Sequence, residues 1–308
     1  MLAWPSPGLV TVPSRLLDRR SRLGTVRHPV FADHHVHLGL VDASALAASG
    51  IGRVVDLGWS DDVAALAERA PVAASYAGRF VAAPGGYPGA SRWAPPRCTS
   101  EVAEPRDAAA AVAHQAALGA SLVKTTLTRD AGPVPDLATL QAVVAAGAQA
   151  GLPVVAHCQG PGMVELALAA GVTALAHTPW THRLDGEVVA EAVEAGQTWV
   201  STLDIHGYGT SSPDQDRAVD NLARFRAAGG RVLYGTDLGN GPLPATLNLR
   251  EVGLLAAAGL SDDDLIAALT DPWPHTEHPT GLETEVPDGP GPLADRLAGA
   301  RVVRTEEP

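Results

Sequence analysis

The chain has 308 residues, enough for one large domain or two small ones. It is 46% hydrophobic and 18% charged, and no apolar run approaches about 18 residues, which excludes wholesale disorder and a membrane span. A net charge of −12 makes nucleic acid and anionic membranes poor partners, so a small-molecule substrate is the expected partner, with room for a homo-oligomer. Residues 1–13 show no secretory pattern. The two cysteines, Cys98 and Cys158, do not make a disulfide scaffold, so the expected setting is reducing and cytoplasmic. Of the 22 basic residues only one, Lys124, is a lysine.

Taken in chain order, residues 1–30 are rich in proline and charge and form an N-terminal flank, with Val10-Thr11-Val12 as a short candidate strand. A phrase then recurs: an Ala-rich helical stretch, a glycine, an apolar run. It runs from AASGIGRVVDLG (47–58) to AAGGRVLYGTD (227–237). The glycine closes each helix and the apolar run reads as a buried parallel strand. Eight strands are predicted, at 31–38, 54–58, 79–84, 122–127, 153–158, 174–178, 199–203 and 232–237. Helices are predicted from 60 onward and at 105–118, 136–150, 162–170, 185–195, 213–228 and 261–270. Residues 272–280 read as a loop, and 281–308 as a C-terminal flank with a candidate strand at 300–304. Alternating strands and helices imply a parallel sheet, and eight units over about 250 residues suit a (β/α)8 TIM barrel spanning 31–280. The rival, a doubly wound open sheet, predicts a Gly-rich phosphate loop after the first strand. His37-Leu38-Gly39-Leu40 is not one.

In such a barrel the active site lies at the carboxyl ends of the strands. The first strand ends in Asp33-His34-His35-Val36-His37, and alternation points His35 and His37 the same way. Lys124 lies in the fourth strand, His157 ends the fifth, His177 the sixth and Asp237 the eighth. Four histidines, one aspartate and the sole lysine are thus expected at one mouth. Imidazole and carboxylate are ligands for zinc and similar ions, and such groups left unpaired inside a fold would be costly. An ordinary lysine is protonated and repels a metal. Lys124 therefore either becomes a carbamate with CO2, or stays an ammonium paired with Asp237 or substrate, or reaches solvent.

These motifs resemble the amidohydrolase superfamily. Asp33-His34-His35-Val36-His37-Leu38 is similar to its first-strand signature, and Lys124, His157, His177 and Asp237 follow in its order. More narrowly, Val54-Val55-Asp56-Leu57-Gly58, Pro84-Gly85-Gly86, Val155-Ala156-His157 and Tyr234-Gly235-Thr236-Asp237 resemble the imidazolonepropionase- and prolidase-related members. The resemblance implies two divalent metal ions, usually Zn2+. His35, His37 and Asp237 would hold one, His157 and His177 the other. A CO2-derived carbamate on Lys124 and a hydroxide would bridge them. It also implies hydrolysis of a C–N bond, as in a peptide, cyclic amide or acyl-amino acid, or of a related ester or lactone, with Asp237 as catalytic base and then acid. The family's terminal β-sandwich would be at most vestigial here, since 34 residues precede His35. Where relatives often carry Gly-Gly-His, this chain has Gly85-Gly86-Tyr87.

Residues shortly after strand ends form the expected substrate wall. Trp180 and Tyr208 would stack on a substrate, His206 would meet the scissile oxygen, and Arg183 or Arg129 would clamp a carboxylate. Each also reads as an ordinary loop residue. Two alternatives remain: a mononuclear deaminase-type member, although Cys158-Gln159-Gly160 offers no acid after His157, and an inactive barrel serving as a binding module.

Overall fold

A computed structural model of the chain describes residues 24–305, so the candidate strand at 10–12 lies outside the described residues. Seven parallel strands form the largest sheet: β5 (Phe80–Ala82), β6 (Thr99–Glu101), β7 (Val123–Thr128), β8 (Val154–Gln159), β9 (Ala174–Leu175), β10 (Thr198–Val200) and β11 (Arg231–Leu233). Their order is β11-β10-β9-β8-β7-β5-β6. A second parallel sheet orders β2 (Phe31–Val36), β3 (Ile51–Asp56) and β4 (Ala73–Tyr76) in sequence. The third is antiparallel: β12 (Leu282–Pro287) lies between β1 (Thr25–Pro29) and β13 (Arg301–Arg304).

The two parallel sheets meet at two seams. At one, only residues 77–79 separate β4 from β5, and Trp59 N donates to Gly78 O at 3.0 Å. At the other, the chain leaving β11 runs beside β2. There His34 N donates to Tyr234 O (3.0 Å), Leu238 N to His35 O (3.2 Å) and His37 N to Leu238 O (2.8 Å). Backbone hydrogen bonds therefore link the three-stranded sheet to the seven-stranded one on both sides.

Helices alternate with the parallel strands: α1 (Val63–Arg69), α2 (Ala108–Leu118), α3 (Leu137–Ala150), α4 (Met163–Ala169), α5 (Gly186–Glu194), α6 (Pro213–Ala227), α7 (Leu249–Ala257) and α8 (Asp262–Thr270), followed by a short α9 (Leu293–Leu297). Their ends carry the local chemistry expected of them. The Asp136 side chain accepts from Thr139 N to start α3, and Gly151, at φ +70°, closes it. Ser261 and Asp264 form a capping box on α8. β2, β3 and β7 are buried along their whole length, as parallel strands covered on both faces are, although polar residues such as Asp33, Arg53 and Lys124 interrupt their apolar runs. A cluster of Val55, Leu57, Val155, Val200 and Leu233 fills the space inside the strands. The larger core lies elsewhere and includes Trp199 stacked on Phe225 at 3.9 Å.

Several strands differ from expectation. The run at 79–84 is a three-residue strand, preceded by the unpredicted β4. β9, β10 and β11 stop three or four residues early, because the backbone there leaves the ladder to carry site residues. β6, α7, β1 and β12 are also absent from the sequence reading; β13 matches the strand expected at 300–304. Among the described residues no helix is long and apolar enough to cross a membrane.

Candidate metal centre

β2 carries His35 and His37 on one face, two residues apart. His35 Nδ1 lies 2.8 Å from Ala176 O, and His37 Nδ1 lies 2.9 Å from Gly58 O. A carbonyl only accepts, so each Nδ1 carries the proton and each Nε2 presents a lone pair. Those two Nε2 atoms stand 3.1 Å and 3.2 Å from the same atom, Asp237 Oδ1. That oxygen is buried and has no hydrogen-bond partner among the described residues. Burial holds His35 well below the usual imidazole range, so its contact with Asp237 is not an ion pair. Burial lowers His37 as well, but the Asp237 carboxylate outweighs it and raises that ring above its ordinary value. Three ligand atoms thus converge where one cation can satisfy all of them. The residues fit a divalent metal.

The aspartate is held there by its own segment. Asp237 adopts φ +59°, a left-handed conformation uncommon outside glycine, and Asn240 Nδ2 donates to its Oδ2 at 2.9 Å. The preceding Thr236 is tied to Asp33, which accepts from Thr236 N (3.0 Å), Thr236 Oγ1 (2.6 Å) and His35 N (3.1 Å). One buried carboxylate therefore sets both ligand-bearing segments. Asp56 does the same for the other side of β2, accepting from Leu38 N (2.7 Å) and Gly58 N (2.9 Å).

His177 and His157 lie beside this group. The His177 ring is centred 4.6 Å from that of His35 and 4.8 Å from that of His157. His177 Nδ1 meets Thr202 Oγ1 at 2.9 Å, which leaves Nε2 for a ligand. Burial lowers His177 well below the usual range and brings His157 to about 4, so both imidazoles are neutral. Lys124, on β7, is 2% exposed. Burial pushes its ammonium down to about 7, against the opposing pull of Asp237.

All six residues line one cavity of about 430 Å3. Trp180 and His206 line it too, with ring centroids 4.9 Å apart. Tyr208 stands just outside, its hydroxyl donating to Asn240 Oδ1 at 3.3 Å. Arg183 lies away from the cavity, its Nε bound to Asp220 at 2.7 Å, and Arg129 is exposed on a turn after β7. Cys158, beside His157, is buried and free. The sequence reading missed Phe80, Trp93, Thr126, Gln159 and Asn240 in the wall and assigned no role there to Tyr87. A signal existed for the aromatic ones. The chain has only six Trp, four Tyr and three Phe, yet Trp59, Phe80, Tyr87 and Trp93 fall close together.

No protein-family model and no curated protein matches the sequence. Solved structures do match. A Xaa-Pro dipeptidase with bound methionine superposes with a TM-score of 0.69 at 19% identity, over 89% of this chain and 84% of that one. The chain shares that fold. A structure described as an amidohydrolase gives a TM-score of 0.68 at 19% identity, covering 92% and 87%. An A. niger ochratoxinase gives 0.63 at 19%, covering 78% and 69%. At such identities the likeness speaks for the fold, and the amidohydrolase fold here presents its histidines, lysine and aspartate at one end of the strands.

Proposed function

We propose that the chain is a metal-dependent hydrolase of C–N bonds, built on a (β/α)8 barrel that the two seams close. The observation that carries the reading is Asp237 Oδ1, buried without a partner between two bare imidazole nitrogens. His35, His37 and Asp237 would hold one divalent ion, and His157 and His177 a second, with zinc the expected metal. Lys124 joins the two sites as a carbamate. Its lowered pKa, about 7, leaves much of the amine neutral at physiological pH, so its lone pair adds to CO2 with loss of one proton. The resulting anion suits a position between cations that an ammonium does not. Divalent ions held there would polarise a substrate carbonyl and lower the pKa of water from 15.7 towards about 7.

The remaining chemistry belongs to the chain. Asp237 Oδ1 faces the imidazoles, so Oδ2, steadied by Asn240, is the oxygen free to move a proton. It takes one from water as the C–O bond forms and returns it to the nitrogen as the C–N bond breaks. A dipeptidase, such as the Xaa-Pro dipeptidase that superposes on this chain, cleaves a bond of this kind. Esters and lactones use the same parts.

A single-metal site is the second reading, because His35, His37 and Asp237 alone bring ligand atoms together. Metal analysis by inductively coupled plasma mass spectrometry, on protein purified without chelator or histidine tag, separates them. About two ions per chain in the wild type, and one or fewer in Lys124→Ala, support the bridged site. About one in both supports the mononuclear reading. None after reloading with zinc and bicarbonate would sink both.

A further inference from the structure

The cavity wall carries a second kind of information. Above the candidate ligands runs an arc of aromatic rings. Trp93 is centred 6.0 Å from His37 and 6.1 Å from Tyr87, and Tyr87 lies 5.4 Å from His157. Trp180 is centred 5.6 Å from His157 and 5.4 Å from His177. The arc therefore covers both candidate metal positions, with Trp93 over one and Trp180 over the other. Phe80, Leu40 and Ile205 extend the apolar lining, and the polar lining groups beyond the ligands are neutral side chains such as Thr126, Gln159 and Asn240.

Among the described residues no guanidinium lines the cavity. Three arginines close to the lining segments are engaged elsewhere. Arg183 pairs with Asp220, Arg217 Nε donates to the backbone oxygen of Trp180 at 2.9 Å, and Arg250 pairs with Asp204. Arg92 and Arg97 are exposed on the loop that carries Trp93. The lysine is sunk into the floor among the ligands. A substrate carboxylate beyond the scissile group would thus leave water for an aromatic wall without a bidentate partner. A flat apolar group would instead find ring faces on two sides.

We infer that the substrate is an uncharged amide with an aromatic or compact apolar group lying against Trp93 and Trp180, and that the site discriminates against a carboxylate next to the scissile nitrogen. This rests on the hydrolase reading for the bond cleaved, but the binding preference is separable from it.

The test uses the full metal-loaded chain and a matched pair of amides: N-benzylbenzamide, and N-benzoylphenylglycine, which differs only by a carboxylate. The corresponding ketones, with a methylene in place of the amide nitrogen, cannot be hydrolysed and serve for calorimetric binding. The neutral ketone should bind about tenfold or more tighter than the acid. Trp93→Ala and Trp180→Ala should each weaken it about tenfold, Trp93→Phe much less. Arg92→Ala should leave both constants unchanged. An acid that binds as tightly as the neutral ketone, absence of binding by either, or tryptophan variants without effect would overturn the inference. Faster hydrolysis of N-benzoylphenylglycine would overturn it while the hydrolase reading stands. Neutral-ketone preference in metal-replete protein that cleaves neither amide would leave it standing and remove the hydrolase reading.

Discussion

Asp237 has two demands on one carboxylate: Oδ1 toward a cation, Oδ2 toward a proton. Asp237→Asn separates them in a measurable way. The amide is nearly isosteric, and its NH2 can donate to the bare Nε2 atoms of His35 and His37, which satisfies them without a metal. The metal-free variant should therefore melt at or above the temperature of metal-free wild type. Addition of Zn2+ should raise Tm for the wild type and not for the variant. Turnover should fall at least about a hundredfold. A variant that keeps the zinc-dependent rise in Tm would show that Asp237 is not a ligand. These residues were legible in the sequence because chemistry of this kind sits at strand ends. Lys124, His157, His177 and Asp237 could be placed by counting from the glycines that precede their strands, and His35 and His37 by alternation along the first strand. Trp93, Tyr87 and Asn240 could not, because they lie in loops without periodicity whose course is set by packing against other loops.

At the scale of elements, the seam between β2 and the chain after β11 brings the ligands together. Gly235 makes the close approach available. A Cβ there would lie 2.3 Å from Val200 Cγ1 and 3.1 Å from His35 N, one side chain and one backbone that cannot both yield. Gly235→Ala should destabilise the fold by about 1–3 kcal/mol and weaken metal binding, since relief moves His35. Removing the tie instead of crowding it, Asp33→Ala leaves Thr236 N, Thr236 Oγ1 and His35 N without their shared acceptor. The loss should be at least about 2 kcal/mol. Urea titrations of both variants check these values. An Asp33→Ala protein with wild-type stability would mean that water replaces the carboxylate. The Tyr-Gly-Thr-Asp phrase stood out in the sequence as the end of a strand, yet the partner of Thr236 was not readable. Asp33 lies 203 residues away, and its backbone-directed role leaves no pattern.

At the scale of the molecule, the two ends of the described chain meet in the sheet of β1, β12 and β13. Only β13 of this sheet was read from the sequence, because its pairing is antiparallel across the length of the chain and its strands are half exposed. It packs on β3. Thr284 Oγ1 accepts from Phe31 N (3.0 Å) and donates to Gly50 O (2.8 Å), and a Cβ on Gly52 would strike Val30. Glu285 stands in the middle strand, in register with Arg27 on one side and Arg301 on the other. It accepts from Arg301 Nη2 at 2.9 Å and from Arg27 Nε at 3.1 Å. The Arg301 hydrogen bonds, followed by those of Arg27, hold its carboxyl below the usual glutamate range. A carboxyl depressed on folding stabilises the fold above the unfolded pKa, and that contribution disappears as the pH falls through the folded value. The arginines are largely exposed, so the effect is modest and sensitive to salt. Glu285→Gln should therefore lower Tm slightly near about pH 7, and the gap to wild type should narrow at about pH 3 as the carboxyl takes up its proton. Melting curves of the two proteins at both pH values, with and without added salt, decide it. A gap that persists in acid would assign Glu285 to packing of the sheet rather than to the charges that join its three strands.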